Sequence, residues 1–349
     1  MKIKENKLND LRLIKSNLIL KGKIEDPFLS IVIPTYKRTE LLKECLESIL
    51  QQKTKMNYEI VVVDDNPNET KNQKMILNLK KSKIFYYKNT KNLGIYDNMN
   101  MGVILSRGKW ISFLHDDDLL KENFLEEISI ILQQNSNITV LDNRIEIIDL
   151  RENIKKTNFY NLKSLIKNYF YDNSKILELN FLDFFYYADI GGVGTVIKKE
   201  IFIESGGFNA EYYPSSDYYF WIYLYQKYKN IYIFNKKLSI RRFDKNESLK
   251  KEVVESFVIN DYYLKTILAK ENILLNFYKK IFVIRNIKIW EKEWQISMNI
   301  NKIYQKLDLD VKYSKNLYLI LGRIITIVYI FYKILRLMKG KKIKAMEKE

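Results

Sequence analysis

The chain has 349 residues, with Lys+Arg 59 against Asp+Glu 42 and a formal net charge of +17. Hydrophobic residues at 47% and charged residues at 29% exclude a disordered chain, and eleven Gly with four Pro exclude collagenous or low-complexity architectures. The single cysteine, Cys45, excludes an internal disulfide or a cysteine zinc site, and the single histidine, His115, excludes a two-histidine metalloprotease arrangement.

The length suggests two domains, or one large domain with an appendage. Residues 1–28 are lysine-rich with weak apolar spacing and read as an N-terminal extension of unassigned structure. Their charge does not suit a signal peptide, so cytoplasmic placement is expected. Residues 29–33 form an apolar, β-branched run stopped by Pro34, as in a buried strand. Leu41, Leu42, Cys45, Leu46, Ile49 and Leu50 follow at helical spacing with Thr39 placed to cap, which makes Cys45 a packed thiol. A strand is predicted at 58–63, ending in Asp64-Asp65-Asn66, then a helix near 71–80 and a strand at 84–87. A loop with Asn92 and Gly94 opens a helix to Leu105, and a strand at 110–114 ends in His115-Asp116-Asp117-Asp118.

Alternating strands and helices with apolar strands predict an α/β fold whose parallel sheet is covered on both faces. Ligands of such sheets bind beyond the carboxyl ends of the strands. Polar clusters fall at three such ends: Pro34-Thr35-Tyr36, Asp64-Asp65-Asn66 and the acidic run. After Leu150 the pattern turns irregular and aromatic, with a glycine loop at Gly191-Gly192-Val193-Gly194 and an aromatic stretch around Asp217. Residues from about 250 to 307 read as helical.

Adjacent carboxylates repel unless a cation compensates them. Carboxylate oxygens with no Cys suit a hard ion, Mg²⁺ or Mn²⁺, completed by substrate phosphate and water. An isolated Asp-Asp-Asp is more often a solvated turn. Its place at the end of a buried strand, facing two other polar strand ends, favours the metal.

The ordered set 29–38, Asp64-Asp65-Asn66, Asn92-Leu93-Gly94 and 113–120 resembles the inverting family-two bacterial glycosyltransferases of the GT-A fold, in the branch that builds surface polysaccharides such as capsule and lipopolysaccharide. The resemblance spans about residues 29–245. It implies a Rossmann-like, mainly parallel sheet flanked by helices, with a helical C-terminal appendage. It implies a nucleotide-sugar site, with UDP expected, formed by Pro34, Thr35, Tyr36, Arg38, Asp65, Asn92, Gly94, Asn98, Asn100, His115 and Asp116. Tyr36 would stack on the base, Asp65 would accept its N–H, and Asp64 would be structural. The metal ligand would be Asp117, with Asp116 near the ribose and Asp118 in support. His115 stands where the first aspartate of the usual pair would be, and Met99 where an arginine is common, leaving Lys91 or Arg38 to hold the diphosphate. Asp217 would be the general base, with Ser216 in place of the usual glutamate and Trp221 shaping the acceptor pocket. Gly191 and Gly192 would approach the acceptor sugar. Arg241 or Arg242 would pair with the diphosphate.

The resemblance implies a hexosyltransferase acting on a growing surface glycan or lipid-linked acceptor. Its divisions would be a nucleotide-sugar half at 29–120, an acceptor half at 121–249, a helical region at 250–311 and a basic amphipathic tail at 312–349. Ten basic and two acidic residues lie in that tail, so the excess charge concentrates there rather than along a nucleic-acid surface. On a helical wheel Arg323, Thr326, Lys333 and Arg336 share one side, which fits a helix lying on the inner face of the plasma membrane. A sugar-phosphate nucleotidyltransferase would instead carry a Gly-rich, Arg-containing loop after the first strand, where Pro34–Arg38 stands. A non-catalytic basic membrane or nucleic-acid binding protein is the other alternative.

Overall fold

A computed structural model describes residues 8–151, 174–186, 190–244, 246–309, 315–339 and 341–342. A short helix α1 (Asn9–Arg12) and strand β1 (Ser16–Leu20) precede β2 (Leu29–Thr35), α2 (Thr39–Leu50), β3 (Tyr58–Asp64), α3 (Lys71–Leu79), β4 (Ile84–Asn89), α4 (Ile95–Leu105) and β5 (Trp110–Phe113). The second half runs β6 (Leu119–Leu120), α5 (Phe124–Gln134), β7 (Val140–Asp149), β8 (Lys175–Glu178), α6 (Phe181–Tyr186), β9 (Val196–Lys198), α7 (Lys199–Glu204), α8 (Ser216–Lys227) and β10 (Ile231–Phe243). Helices α9 (Lys251–Ala269), α10 (Ile273–Trp294), α11 (Ile300–Lys306) and α12 (Lys315–Lys339), with strand β11 (Lys341–Lys342), complete it.

One sheet carries both halves, in the order β1-β4-β3-β2-β5-β9-β7-β10-β8-β11, with β6 pairing β10. Strands β4, β3, β2 and β5 are mutually parallel, whereas β9 joins the halves antiparallel to both β5 and β7. Residues 16–20, inside the expected N-terminal extension, form an antiparallel edge strand on β4. Alternate residues of the central strands enter separate cores. Val32, Val61 and Val63 pack on one face, and Ile31, Ile33, Ile60 and Val62 on the other.

Pro34 does not stop its strand, because β2 continues to Thr35. Val32 O accepts from Leu114 N, and Thr35 O accepts from Asp65 N, so backbone groups alternate between the neighbours β5 and β3. Pro34 falls among those facing β5, which has ended at Phe113. The missing N–H leaves no gap in the ladder. Thr39 is not the cap of α2. Arg38 occupies that position, and the Thr39 hydroxyl donates to Asn72 Oδ1 at 2.7 Å. Cys45 is fully buried, its Sγ 3.5 Å from His115 O, and burial pushes its thiol up in pKa.

Helix α4 lies against β2 and β3 through Gly102, where an added Cβ would stand 2.3 Å from Val32 Cγ1. This close approach fixes α4 and, with it, the loop at its N-terminus. Gly102→Ala is expected to destabilise the protein by about 1–3 kcal/mol through overpacking, read as a lowered midpoint in thermal denaturation. An unchanged midpoint would show that the helix is free to move away.

Candidate active site

The site forms where β2, β3 and β5 end beside the turn into α8. Tyr36, 44% exposed, follows the buried Pro34 and Thr35 and presents its ring to solvent. Pro34 and Thr35 are buried at the end of β2. Thr35 donates its hydroxyl to Asp116 Oδ2 at 2.8 Å. Arg38 reaches from the start of α2 to Asp117 Oδ2 at 2.5 Å and Asp116 Oδ1 at 3.4 Å.

The aspartate run does not form a three-carboxylate metal cage; each member is held differently. Asp116 is fixed by Thr35 and Arg38. Asp117 also accepts from Asn246 Nδ2 at 2.7 Å, and Asp118 accepts from Arg242 N at 3.1 Å. Arg242 is buried and spans Asp117 O and the Glu44 carboxylate. Burial pushes Asp116 up to about 7, against the pull of Arg38. Burial together with Asp117 pushes Asp118 up to about 7 against Arg241 and Arg242. Among the described residues no group of three His, Cys, Asp or Glu side chains is arranged to hold an ion. Asp116 has both oxygens committed to Thr35 and Arg38, whereas Asp118 holds the Arg242 backbone through Oδ1. Asp117 remains, and its Oδ1 accepts no hydrogen bond among the described residues.

Asp64 is structural, accepting from Tyr86 OH at 2.7 Å, Asn66 N at 3.0 Å and Asn72 Nδ2 at 3.2 Å. Asp65 is buried and accepts from Asn89 Nδ2, Leu93 N and Gly94 N, all at 2.9 Å. It holds the loop that carries the exposed Asn92 and Gly94, the latter at φ +79°. Lys91 is exposed on the same loop.

Asn98 and Asn100 are not donor ligands, since both are buried with their amides spent on protein groups. Asn98 donates to Val63 O at 3.0 Å and accepts from Asn89, while Asn100 clamps the backbone of Phe208 through both amide atoms. Trp221 does not line a pocket. It is 1% exposed and packs in the core, edge-on to Phe208.

Asp217, at the start of α8, faces this donor side. It is half-buried, and desolvation raises its pKa. Tyr218 N–H, His115, Tyr96 and Arg241 oppose that rise in decreasing order. Tyr96, buried, places its hydroxyl 2.6 Å from Pro214 O and 3.2 Å from Asp217 Oδ1. Tyr96 was missed in the sequence reading because an aromatic on a buried helix looks like core. His115 is half-buried, and burial lowers its pKa against the pull of Asp117 and Asp217. Gly192, at φ +77°, faces Asp217, whose Oδ2 would be 3.7 Å from an added Cβ. Gly191 is seated by Asp142 Oδ2, which accepts its N–H at 2.9 Å, and by Arg241, which donates to its carbonyl. Of the two arginines, Arg241 therefore borders the open site.

Asp142 is fully buried, also accepts from Thr195 Oγ1 at 2.7 Å, and is pushed up to about 6 by desolvation. Its folded pKa lies above the unfolded value of about 3.9, so its contribution to stability declines as pH rises from about 4 through 6. Asp142→Asn keeps an acceptor for Gly191 and removes the charge. The variant is expected to melt above the parent at about pH 8, by up to about 3 kcal/mol, with the gap closing near pH 4. A pH-independent difference would mean that Asp142 is not charged against its surroundings.

Known proteins share both sequence and fold with this arrangement. The profile described as Glycosyl transferase family 2 matches residues 30–205. The GalNAc(5)-diNAcBac-PP-undecaprenol beta-1,3-glucosyltransferase of Campylobacter jejuni is 31% identical over 230 residues, 64% of this chain and 67% of that protein. An uncharacterized glycosyltransferase of Methanocaldococcus jannaschii is 30% identical over 207 residues, 58% of this chain and 66% of its own length. S. aureus TarS in complex with UDP-GlcNAc superposes with a TM-score of 0.52 at 15% identity, covering 84% of this chain and 79% of that one. The mannosyltransferase PcManGT from Pyrobaculum calidifontis, in complex with GDP-Man and Mn²⁺, does so at 0.50 and 11% identity, covering 94% and 90%. The fold is thus GT-A, and the chain belongs to glycosyl transferase family 2 and is a glycosyltransferase.

Proposed function

We propose that the enzyme transfers a sugar, with inversion, from a UDP-sugar to a hydroxyl of a surface glycan or lipid-linked acceptor at the inner face of the plasma membrane. The observation that carries this reading is the meeting of Asp217 with the donor side. It lies within electrostatic reach of His115 and Arg241 and opposite the open backbone of Gly192.

Tyr36 is the exposed ring on which a base stacks, and Asp65 shapes the pocket through the Asn92–Gly94 loop. Arg38 and Arg241 supply fixed positive charge for the diphosphate. Gly191 and Gly192 leave room for the acceptor sugar. The acceptor O–H gives its proton to Asp217 as its oxygen attacks the anomeric carbon, while the bond from that carbon to the diphosphate oxygen breaks. A carboxylate raised in pKa by burial is a stronger base than one in water, and Tyr96 fixes its orientation. The donor set fits one hard ion, since Asp117 retains an unengaged oxygen and such ions use one or two carboxylates with substrate phosphate. Mn²⁺ or Mg²⁺ held there would supply Lewis-acid stabilisation of the departing diphosphate. His115 borders the same space as a hydrogen-bonding partner for the donor.

The lipid-linked acceptor is supported by the Campylobacter relative, whose name specifies an undecaprenol-linked glycan. The UDP donor is supported by the UDP-GlcNAc complex of TarS.

Asp217→Asn is expected to lower kcat by at least about a hundredfold while leaving nucleotide-sugar binding within a factor of about two, read by thermal shift and by release of UDP. In the parent, kcat/KM is expected to rise with pH through a midpoint above the usual carboxylate range, because the working form of the base is ionised and burial opposes ionisation. Full turnover in the variant would remove Asp217 from the mechanism.

A further inference from the structure

Helix α12 is turned the opposite way from a helix on the outside of a water-soluble domain. From Thr326 to Arg336 its polar side faces the protein. Arg336 pairs with the fully buried Asp183 at 2.5 Å, and Tyr329 donates to the same carboxylate at 2.7 Å. Tyr332 accepts from Asn180 at 2.7 Å, while Thr326 and Lys333 are buried. Its outer side is apolar. Ile320, Ile324, Ile327, Phe331, Leu335 and Met338 recur at three- and four-residue spacing and are each at least half exposed, Phe331 at 66%. Near the N-terminus of α12, Tyr318 lies 6.4 Å from Phe277 of α10, whose first turn adds Ile273 at 84% exposure and Leu274. Gly322 permits the contact between the helices, since an added Cβ would meet Arg285 Cδ at 3.1 Å.

We propose that this two-helix face docks on an anionic lipid bilayer. Charge selects that occupant. From Lys315 to Lys344 the sequence has eight basic residues and no acidic one. Exposed Arg323 and Lys339 sit along and at the end of the apolar stripe, and the backbone of Lys341 and Lys342 continues from it as β11. Apolar residues flanked by lysine and arginine bind headgroups and acyl chains together. A second copy seated on the same face would bring like charges on α12 against each other.

The helix lies on the bilayer rather than crossing it, although Tyr318–Lys339 is long and apolar enough to span. Crossing would strip Asp183 of its partners. It would also break the cap in which Lys175 Nζ donates to Leu337 O at 2.9 Å and Met338 O at 2.8 Å. The anchor connects to α8, since Asp183 shares α6 with Phe184, whose carbonyl accepts from the hydroxyl of Tyr218, the residue that follows Asp217 in sequence. The docking face and the acceptor side are thus joined through one short helix.

The test is flotation of the full-length protein with vesicles of phosphatidylcholine alone and of equal parts phosphatidylcholine and phosphatidylglycerol. The protein is expected to float with the anionic vesicles, less so as salt is raised. The double variant Ile327→Glu, Phe331→Glu is expected to lose binding by about tenfold or more with an unchanged melting transition, because both side chains already face water. Equal flotation of parent and variant would overturn the proposal. So would a parent that never floats but chromatographs as a dimer, which the variant converts to a monomer. Binding of UDP by the same samples is measured in parallel: its absence would sink the UDP-donor reading and leave the docking surface standing.

Discussion

Three carboxylates in succession at the mouth of a sheet repel one another, and the surrounding structure is arranged to contain that repulsion. Arg38 arrives from the end of β2, Arg242 from the end of β10, and Asn246 from the segment that follows. Each contact ties the acidic turn to a different stretch of chain, so the site exists only when both halves of the sheet are assembled. The arrangement also distributes roles. Two carboxylates have raised proton affinity, and the third, Asp117, is paired with Arg38 and Asn246 through one oxygen.

The same economy shapes the acceptor side. Strand β9 sutures the parallel half to β7 and β10, and the glycines before it pass close to Ile145, Asp142 and Asp217. Left-handed backbone at Gly192 puts bare main chain, rather than a side chain, opposite the base. Asp142 anchors this loop from a fully buried position, accepting the electrostatic cost of desolvation in exchange for a fixed path.

Much of this was legible in the sequence. Buried parallel strands are continuous apolar runs with sharp ends, so β2, β3, β4 and β5 and the polar clusters beyond them could be placed. Strand β1 was not, because an edge strand buries little and Ser16–Leu20 shows no clear pattern. Pro34 misled because the rule against proline in a strand depends on whether a neighbour waits for its N–H. Asn98, Asn100 and Trp221 misled for a related reason. Their residue types suit a ligand, but the sequence does not say which side of α4 or α8 faces inward. There the amides satisfy backbone groups of Val63 and Phe208, and the indole fills the aromatic core. The helical wheel of α12 likewise separated a polar side from an apolar one without revealing that the polar side is the inner one. That orientation follows from Asp183, a buried carboxylate far away in sequence that requires a cation.

The account rests on donor and acceptor groups meeting at one place. A crystal structure with a UDP-sugar and Mn²⁺ tests it most directly. The expected result is the uracil on Tyr36, the diphosphate between Arg38, Arg241 and an ion on Asp117, and the anomeric carbon facing Asp217 across Gly192. A nucleotide-sugar bound elsewhere, or one whose anomeric carbon faces away from Asp217, would contradict it.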